Sequence, residues 1–412
     1  MNKTLFTSKI IFIVIFLTFF SSCIGGRKDT LDKKTLFSIS IGKTENDLDY
    51  FREEGIPFQQ KINLYMKEGL FYISNGKAGK IMKFNSYGDI LFLLYNEKKN
   101  PTPILLSTTV NEDDRISNRV AYAYPFVDIG EIAVVENKIL LIDDAVEEER
   151  QEYDEEIEAM LCRIVLRFDT RGKLVDYIGQ EGLGGTPFPY IEKLQVTTGG
   201  EIVVMTRTMK SWLIFWYSRN GKLLYRVNIL YNALPVPEGV SAIPSLETIH
   251  ADRVQRKLYL KLDYYTNTSG ERADPELNAE YSMSGVYVLD LKDGNYKDFI
   301  QIPRNIKKAS NLQFLETETR EYLYEFLGVT SGGYLFFLSP EESNREQLLI
   351  LNRQGKVVQR TYILPSDREL VYSDFYLNPS GVLSALLCDE NRVEVAWWRT
   401  DKIIESVVDE NS

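Results

Sequence analysis

Beyond Leu36 the chain is dominated by short runs in which apolar and polar residues alternate with period two, the pattern of half-buried β-strands. Many of these runs come in pairs with the same punctuation between them. In KFNSYGDILF an apolar Phe84 precedes Asn85, and Gly88 follows. The same trio is Phe168, Asp169 and Gly172 in RFDTRGKLVD; Tyr217, Ser218 and Gly221 in WYSRNGKLLY; and Leu351, Asn352 and Gly355 in ILNRQGKVVQ. An Asn, Asp or Ser side chain can accept hydrogen bonds from the N–H groups of its own turn. The glycine takes the left-handed position that closes a hairpin built on a type I turn with a bulge. Two weaker copies are expected. VYVLDLKDGNYKDFI has a longer turn from Asp290 to Gly294, and VAWWRTDKIIESV lacks a glycine and should turn tightly around Thr400 and Asp401.

Each of these hairpins is preceded by another strand pair with its own turn: at Lys67–Gly69, Glu136–Asn137, Gly199–Gly200, near Gln255–Arg256, at Gly332–Gly333 and at Pro379–Gly381. Six units of four strands result. Four antiparallel strands repeated around an axis protect sheet edges as a propeller does, whereas a sandwich or two smaller β domains would not require the repeat. The spacing of the aligned glycines is irregular and longer than the roughly 40–50 residues of compact propeller repeats, so long loops must be inserted between blades. The expected fold is all-β, a six-bladed β-propeller of four-stranded antiparallel blades. Thr35–Gly42 is one strand more than six blades need and should either add to the outside of a blade or help close the ring.

The repeat resembles NHL-type six-bladed propellers, most closely over Phe126–Gly179 and Tyr190–Ile229 and loosely elsewhere. The stretch GLFYISNGKAGKIMKFNSYGDILFLLYN, Gly69 to Asn96, is also similar to a family of exported spirochaetal lipoproteins without an assigned activity. That resemblance implies an architecture and no catalytic residues.

The N-terminus adds an address. Lys3 and Lys9 flank a basic start, and Ile10 to Phe20 is an apolar core too short to span a bilayer comfortably but suited to a signal peptide. Ser21, Ser22 and Cys23 then resemble a bacterial lipobox, with Phe20 standing where Leu is usual. On this reading residues 1–22 are a lipoprotein signal peptide, 23–34 a lipidated Cys23 with its tether, and 35–412 the propeller. The alternative is a plain secretory leader that leaves Cys23 as an ordinary thiol. Two or more acyl chains on one residue give stable anchoring, so the expected site of action is the bacterial cell envelope, at the periplasmic face or the cell surface.

Composition narrows the partners. The net charge is −11, and losing Lys3 and Lys9 with a leader takes it to −13. Such a surface disfavours nucleic acid. One His and three Cys nearly exclude zinc sites of the usual kind, and no cofactor is indicated. Cys162 and Cys388 lie in apolar alternating runs and read as two buried free thiols.

Candidate chemistry is sparse. The insertion Asp143–Met160 carries about ten carboxylates against a single Arg150. Asp143, Asp144, Glu147, Glu148, Glu149, Asp154, Glu155 and Glu156 make a candidate acidic interaction loop, set against the plainer reading of a solvated loop with a helical turn or two. It lacks the ligand order of a calcium loop. Gly179–Tyr190 (GQEGLGGTPFPY) lacks the Lys and the helix of a phosphate cradle and reads as a crossover between blades. His250 stands alone with no recognisable nucleophile turn. The dense aromatics at Phe215–Tyr217, Tyr322–Tyr324, Tyr334–Phe337 and Trp397–Trp398 should fill interfaces between blades. The sequence thus points to a non-enzymatic binding or scaffolding propeller with a protein or glycan partner. The alternative is a metal-dependent lactonase- or lyase-type enzyme with its site in the axial tunnel, and a weaker one is an outer-membrane assembly factor.

Overall fold

A computed structural model describes residues 30–50, 61–107, 119–135, 139–267, 279–311, 316–341 and 344–411. The leader, Cys23 and the turn at Glu136–Asn137 lie outside the described residues. Six sheets follow one another along the chain. The first holds Ile62–Lys67, Leu70–Asn75, Lys80–Phe84 and Ile90–Tyr95; the second Ile129–Val134, Leu140–Ala145, Arg163–Phe168 and Leu174–Gly179. The third holds Tyr190–Val196, Ile202–Arg207, Ser211–Tyr217 and Leu223–Leu230; the fourth Ile243–Ala251, Lys257–Asn267, Ala279–Asp290 and Asn295–Ile302. The fifth holds Glu325–Val329, Leu335–Pro340, Glu346–Leu351 and Val357–Ile363; the sixth Tyr372–Leu377, Leu383–Cys388 and Val393–Trp398. Contacts between the first strands of successive sheets run around a ring, so these strands face the axis of a six-bladed propeller.

The glycine turns form as the sequence requires. Gly88, Gly172, Gly221 and Gly355 all have positive φ, between 71° and 85°, and each donates its N–H to the carbonyl of the Asn, Asp or Ser three residues earlier. The side chains of Asn85, Asp169 and Asn352 each accept two further N–H groups of their turns. A register slip sits beside every one of these turns, the bulge that such a hairpin carries.

Alternation decides the packing. In Ser211–Tyr217 every residue is buried, yet Leu213, Phe215 and Tyr217 pack with blade 2 while Trp212, Ile214 and Trp216 pack with blade 4. Leu335 and Phe337 likewise face blade 4, and Phe336 and Leu338 face blade 6. The core is therefore a set of layers between blades, and most of the predicted aromatic runs fill it.

Two expectations need correction. Blades 1, 2 and 5 are five-stranded, and two of the added strands, Val120–Ala123 and Thr30–Leu31, pair in parallel. The last predicted hairpin does not form. Asp401–Asn411 is a helix, in which Ile403 and Ile404 pack on the layer between blades 5 and 6. The outer strand of blade 6 is instead Lys34–Ile39 from the other end of the chain, antiparallel to Val393–Trp398. The surplus strand of the sequence thus closes the ring. The first described residues, Thr30–Leu31, already pair with the outer strand of blade 5.

Candidate functional site

The first strands of the blades surround an axial cavity of about 210 Å³. Four of them carry a register slip against their second strand: between Ile129 and Ile132, Ile191 and Lys193, Leu246 and Thr248, and Phe326 and Gly328. A bulge takes one residue out of strict alternation and re-aims side chains. Glu131, Glu192 and Leu327, all set within these slips, line the cavity. Glu247, at the fourth, is exposed and bonded to Ser245 instead.

One wall carries nitrogen. Lys193 Nζ lies 2.9 Å from His250 Nε2 and 3.4 Å from Thr248 Oγ1. His250 Nδ1 is 3.1 Å from Gln195 Nε2, and His250 Nε2 is 3.0 Å from the Phe326 carbonyl. Gln195 is oriented by its other end, since its Oε1 accepts the Ala251 N–H at 2.7 Å. Gly328 has φ +133°, and a Cβ there would stand 3.0 Å from His250 Nδ1, so glycine lets blade 5 close over the ring. Arg253 donates to the Val196 carbonyl at 3.2 Å and the Leu377 carbonyl at 3.4 Å, tying blades 3 and 6 across the axis.

The other walls carry acid: Glu131 from blade 2, Glu192 from blade 3, Glu325 from blade 5 and Asp374 from blade 6. Asp374 accepts the Leu64 N–H at 2.6 Å, and Glu131 pairs with Lys61 at 3.5 Å. Burial pushes Asp374 up to about 7 against that backbone bond, with Glu131 and Glu325 adding repulsion. Burial also raises Glu131, countered by Lys61. Burial lowers Lys193, although Glu131, Glu325 and Glu192 oppose it. His250 is held well below its ordinary value by burial, and any positive charge on Lys193 or Arg253 lowers it further.

A second cavity, of about 250 Å³, adjoins between blades 1, 2 and 3 and is lined by Lys61, Lys77, Asp128, Arg163 and Tyr190 among others. Arg163 bonds Asp143 at 2.8 Å and Asp128 at 2.7 Å. Gly130 makes room for this pair, because a Cβ there would fall 1.9 Å from Asp143 Oδ2.

The acidic insertion divides in two. Asp143 and Asp144 are buried in Leu140–Ala145; Asp143 answers Arg163, and Asp144 accepts the N–H groups of Val127 and Asp128. They do not belong to an exposed interaction surface. Glu147, Glu148 and Glu149 are exposed at a short 3₁₀ turn, and Asp154, Glu155 and Glu156 cap a small hairpin of Glu152–Asp154 and Ala159–Leu161. Cys388 is buried and its thiol raised to about 12, while Cys162 is only half-buried; both are free. Gly179–Tyr190 is the crossover from blade 2 to blade 3, where the Tyr217 hydroxyl donates to the Gly179 carbonyl at 2.8 Å. His250 is packed and neutral in the channel wall. Sequence reasoning missed Glu131, Lys193 and Asp374; their common signal was a polar residue in the first strand of a unit, where a core-facing strand should be apolar. Among the described residues no three His, Cys, Asp or Glu side chains come close enough to share a metal ion.

No protein-family model matches the chain, and no curated protein matches it. Solved structures align with most of the chain at low identity. A protein of unknown function from Bacteroides caccae is 11% identical over 81% of this chain and 92% of its own, with a TM-score of 0.36. The β-propeller domain of the Trilobed protease from Pyrococcus furiosus is 9% identical over 82% and 95%, with a TM-score of 0.38. The polysaccharide lyase Uly1 is 9% identical over 90% and 99%, with a TM-score of 0.39. Likeness at this level transfers no activity.

Proposed function

We propose that this chain is a non-enzymatic binding propeller of the bacterial cell envelope, NHL-like in its repeat, anchored to a membrane by lipid on Cys23. Its axial channel takes a small polar ligand or a polar group of a protein or glycan partner. One observation carries the reading: Glu131, Glu192, Lys193, Glu325 and Asp374, from four blades, converge on one open cavity. Four of these are half-buried and Glu325 is exposed, and partly desolvated ionisable groups gathered in one cavity are rarely kept without a partner or a task. The leader supports the address. Among the described residues no helix is long and apolar enough to cross a membrane. Thr30–Leu31 sits at the outer edge of blade 5, seven residues after Cys23. Seven extended residues reach at most ~25 Å. Lipid on Cys23 would therefore hold the disc by its rim and leave the channel unobstructed.

The channel is tested by incubating the purified chain with an envelope extract, washing it, and identifying by mass spectrometry what denaturation releases. A ligand retained by the wild type and lost from a Glu131→Gln/Asp374→Asn variant is expected; identical releases from both would overturn the channel reading. The anchor is tested by detergent phase partitioning. The full-length product should enter the detergent phase and its Cys23→Ala variant the aqueous phase.

A further inference from the structure

The nitrogen wall of the channel fixes a proton arrangement. Gln195 Oε1 accepts the Ala251 N–H, so the amide nitrogen of Gln195 is the group that faces His250 Nδ1. Nδ1 must then be the acceptor, and the ring's single proton resides on Nε2, where the Phe326 carbonyl accepts it. Protonating both nitrogens would set Nδ1–H against the Gln195 amide. The ring is thereby locked as one neutral tautomer.

Lys193 Nζ lies 2.9 Å from that same Nε2. An ammonium has only donors and would oppose an N–H at this distance, whereas an uncharged amine can offer its lone pair to it. No carboxylate touches it: among the described residues its hydrogen-bond neighbours are His250 and Thr248, and Glu131, Glu325 and Glu192 favour its charge only from a distance. Lys193 is half-buried, and an ammonium that loses part of its solvation with no anion in contact is disfavoured relative to the neutral amine. The charged groups that face it are Glu131 from blade 2, Glu192 from its own strand, Arg253 after the first strand of blade 4, and Glu325 from blade 5. Asp374 of blade 6 lines the same cavity.

We propose that Lys193 is held as an uncharged, nucleophilic amine and that the channel captures small neutral aldehydes or ketones on it as a reversible imine. This names the ligand class of the binding reading above and rests on it. The Nζ lone pair attacks the carbonyl carbon, a C–N bond forms, and the C=O π pair moves to oxygen, which takes a proton from a carboxylic acid of the cavity such as Asp374. The nitrogen then gives up a proton, the oxygen takes it and leaves as water as the nitrogen pair closes the C=N bond, and the protonated imine returns its remaining N–H proton to the Asp374 carboxylate. Amine and carbonyl give imine and water, with no oxidant or reductant. Neutral carbonyl compounds are favoured because, with Lys193 uncharged, the acidic groups Glu131, Glu192, Glu325 and Asp374 line the cavity against one cation, Arg253.

The test is brief exposure of the purified chain to propanal with sodium cyanoborohydride across a range of pH, with occupancy read at each lysine by peptide mass spectrometry. The hydride reduces the imine to a stable propyl amine. At pH 7 Lys193 should label about tenfold faster than the exposed Lys222 and Lys292, with a pH midpoint well below the ordinary lysine value of about 10.4. Gln195→Glu retains an acceptor for the Ala251 N–H but moves the His250 proton to Nδ1, which opens Nε2 to an ammonium. The midpoint should then rise and labelling at pH 7 fall about tenfold. Should that variant misfold, the wild-type pH profile decides alone. A Lys193 that labels no faster than Lys222, or only with an ordinary midpoint, overturns the proposal. If an extract ligand is nevertheless retained by the channel, the covalent step alone is lost; if none is retained, both readings fail.

Discussion

At the scale of single residues, buried charge divides into groups that are answered and groups that are not. The Asp143 side chain is fully buried, bonded to Arg163 and to the Glu131 N–H. Asp143→Ala would leave the guanidinium of Arg163 buried with only the exposed Asp128, so unfolding in denaturant should show a loss of about 3–5 kcal/mol. Asp128→Ala, whose side chain is 67% exposed, should cost no more than about 1 kcal/mol. The channel carboxylates behave differently because their burial lacks full compensation. Asp374 is raised to about 7, so the folded state holds a proton that the unfolded state releases near 4. Its contribution to stability is fully present below about pH 4 and is lost as pH rises toward 7. His250, lowered when folded, pulls the opposite way as pH falls below about 6.5. The difference between wild type and Asp374→Asn isolates the carboxyl. The unfolding free energy of wild type relative to the variant should fall from pH 4 to 7 and be level above, and a difference independent of pH would refute the assignment.

At the scale of strands and turns, the glycine hairpins predict a graded response. Gly172 and Gly294 both have φ +71°, so alanine at either meets the left-handed strain of roughly 1–2 kcal/mol. Around Gly294 a Cβ meets nothing within 4 Å, but at Gly172 it would fall 2.2 Å from Cδ2 of Tyr122. Gly172→Ala should therefore lower the unfolding free energy by about 1–3 kcal/mol more than Gly294→Ala; equal losses would mean that Tyr122 moves aside freely. These turns were legible in the sequence because their chemistry is local: Asn85 and Gly88 lie in one turn and bond within it. The bulges that bring Glu131 and Glu192 to the axis were not, because a bulge is a mismatch of register between two strands and has no signature in either alone. The helix Asp401–Asn411 was hidden for a related reason. Its β-branched Ile403, Ile404 and Val407 suggest a strand although their spacing is helical, and the blade edge they would need is already occupied by Lys34–Ile39.

At the scale of the molecule, closure decides whether six sheets act as one body. Blade 6 takes three strands from the C-terminal part of the chain and its fourth from Lys34–Ile39, with Ile39 opposite Val393 and Lys34 opposite Trp397. Thr30–Leu31 adds to blade 5 next door, so the first described residues bridge two blades. Phe37 and Ile39 are buried in the layer between blades 6 and 1, where the Phe37 ring meets Phe71 edge-on at 5.7 Å and lies 5.4 Å from Phe84. Removing residues 1–39 would therefore expose the edge of Val393–Trp398, uncover that layer and strip Thr30–Leu31 from blade 5, while leaving the strands of blades 1 to 4 in place. The loss should be larger than the apolar burial of one strand suggests, because the clasp fills the layer between blades 1 and 6 and reinforces their direct bonds, such as that of the Leu64 N–H to Asp374. Hydrogen exchange reads this directly. In the truncated chain the amides of Val393–Trp398 and Ile62–Lys67 should exchange faster than those of Ser211–Tyr217, across the ring, whereas in the intact chain all three should open together. Uniform protection in the truncated chain would show that contacts across the axis, such as those of Arg253 to Val196 and Leu377, hold the disc shut without its clasp.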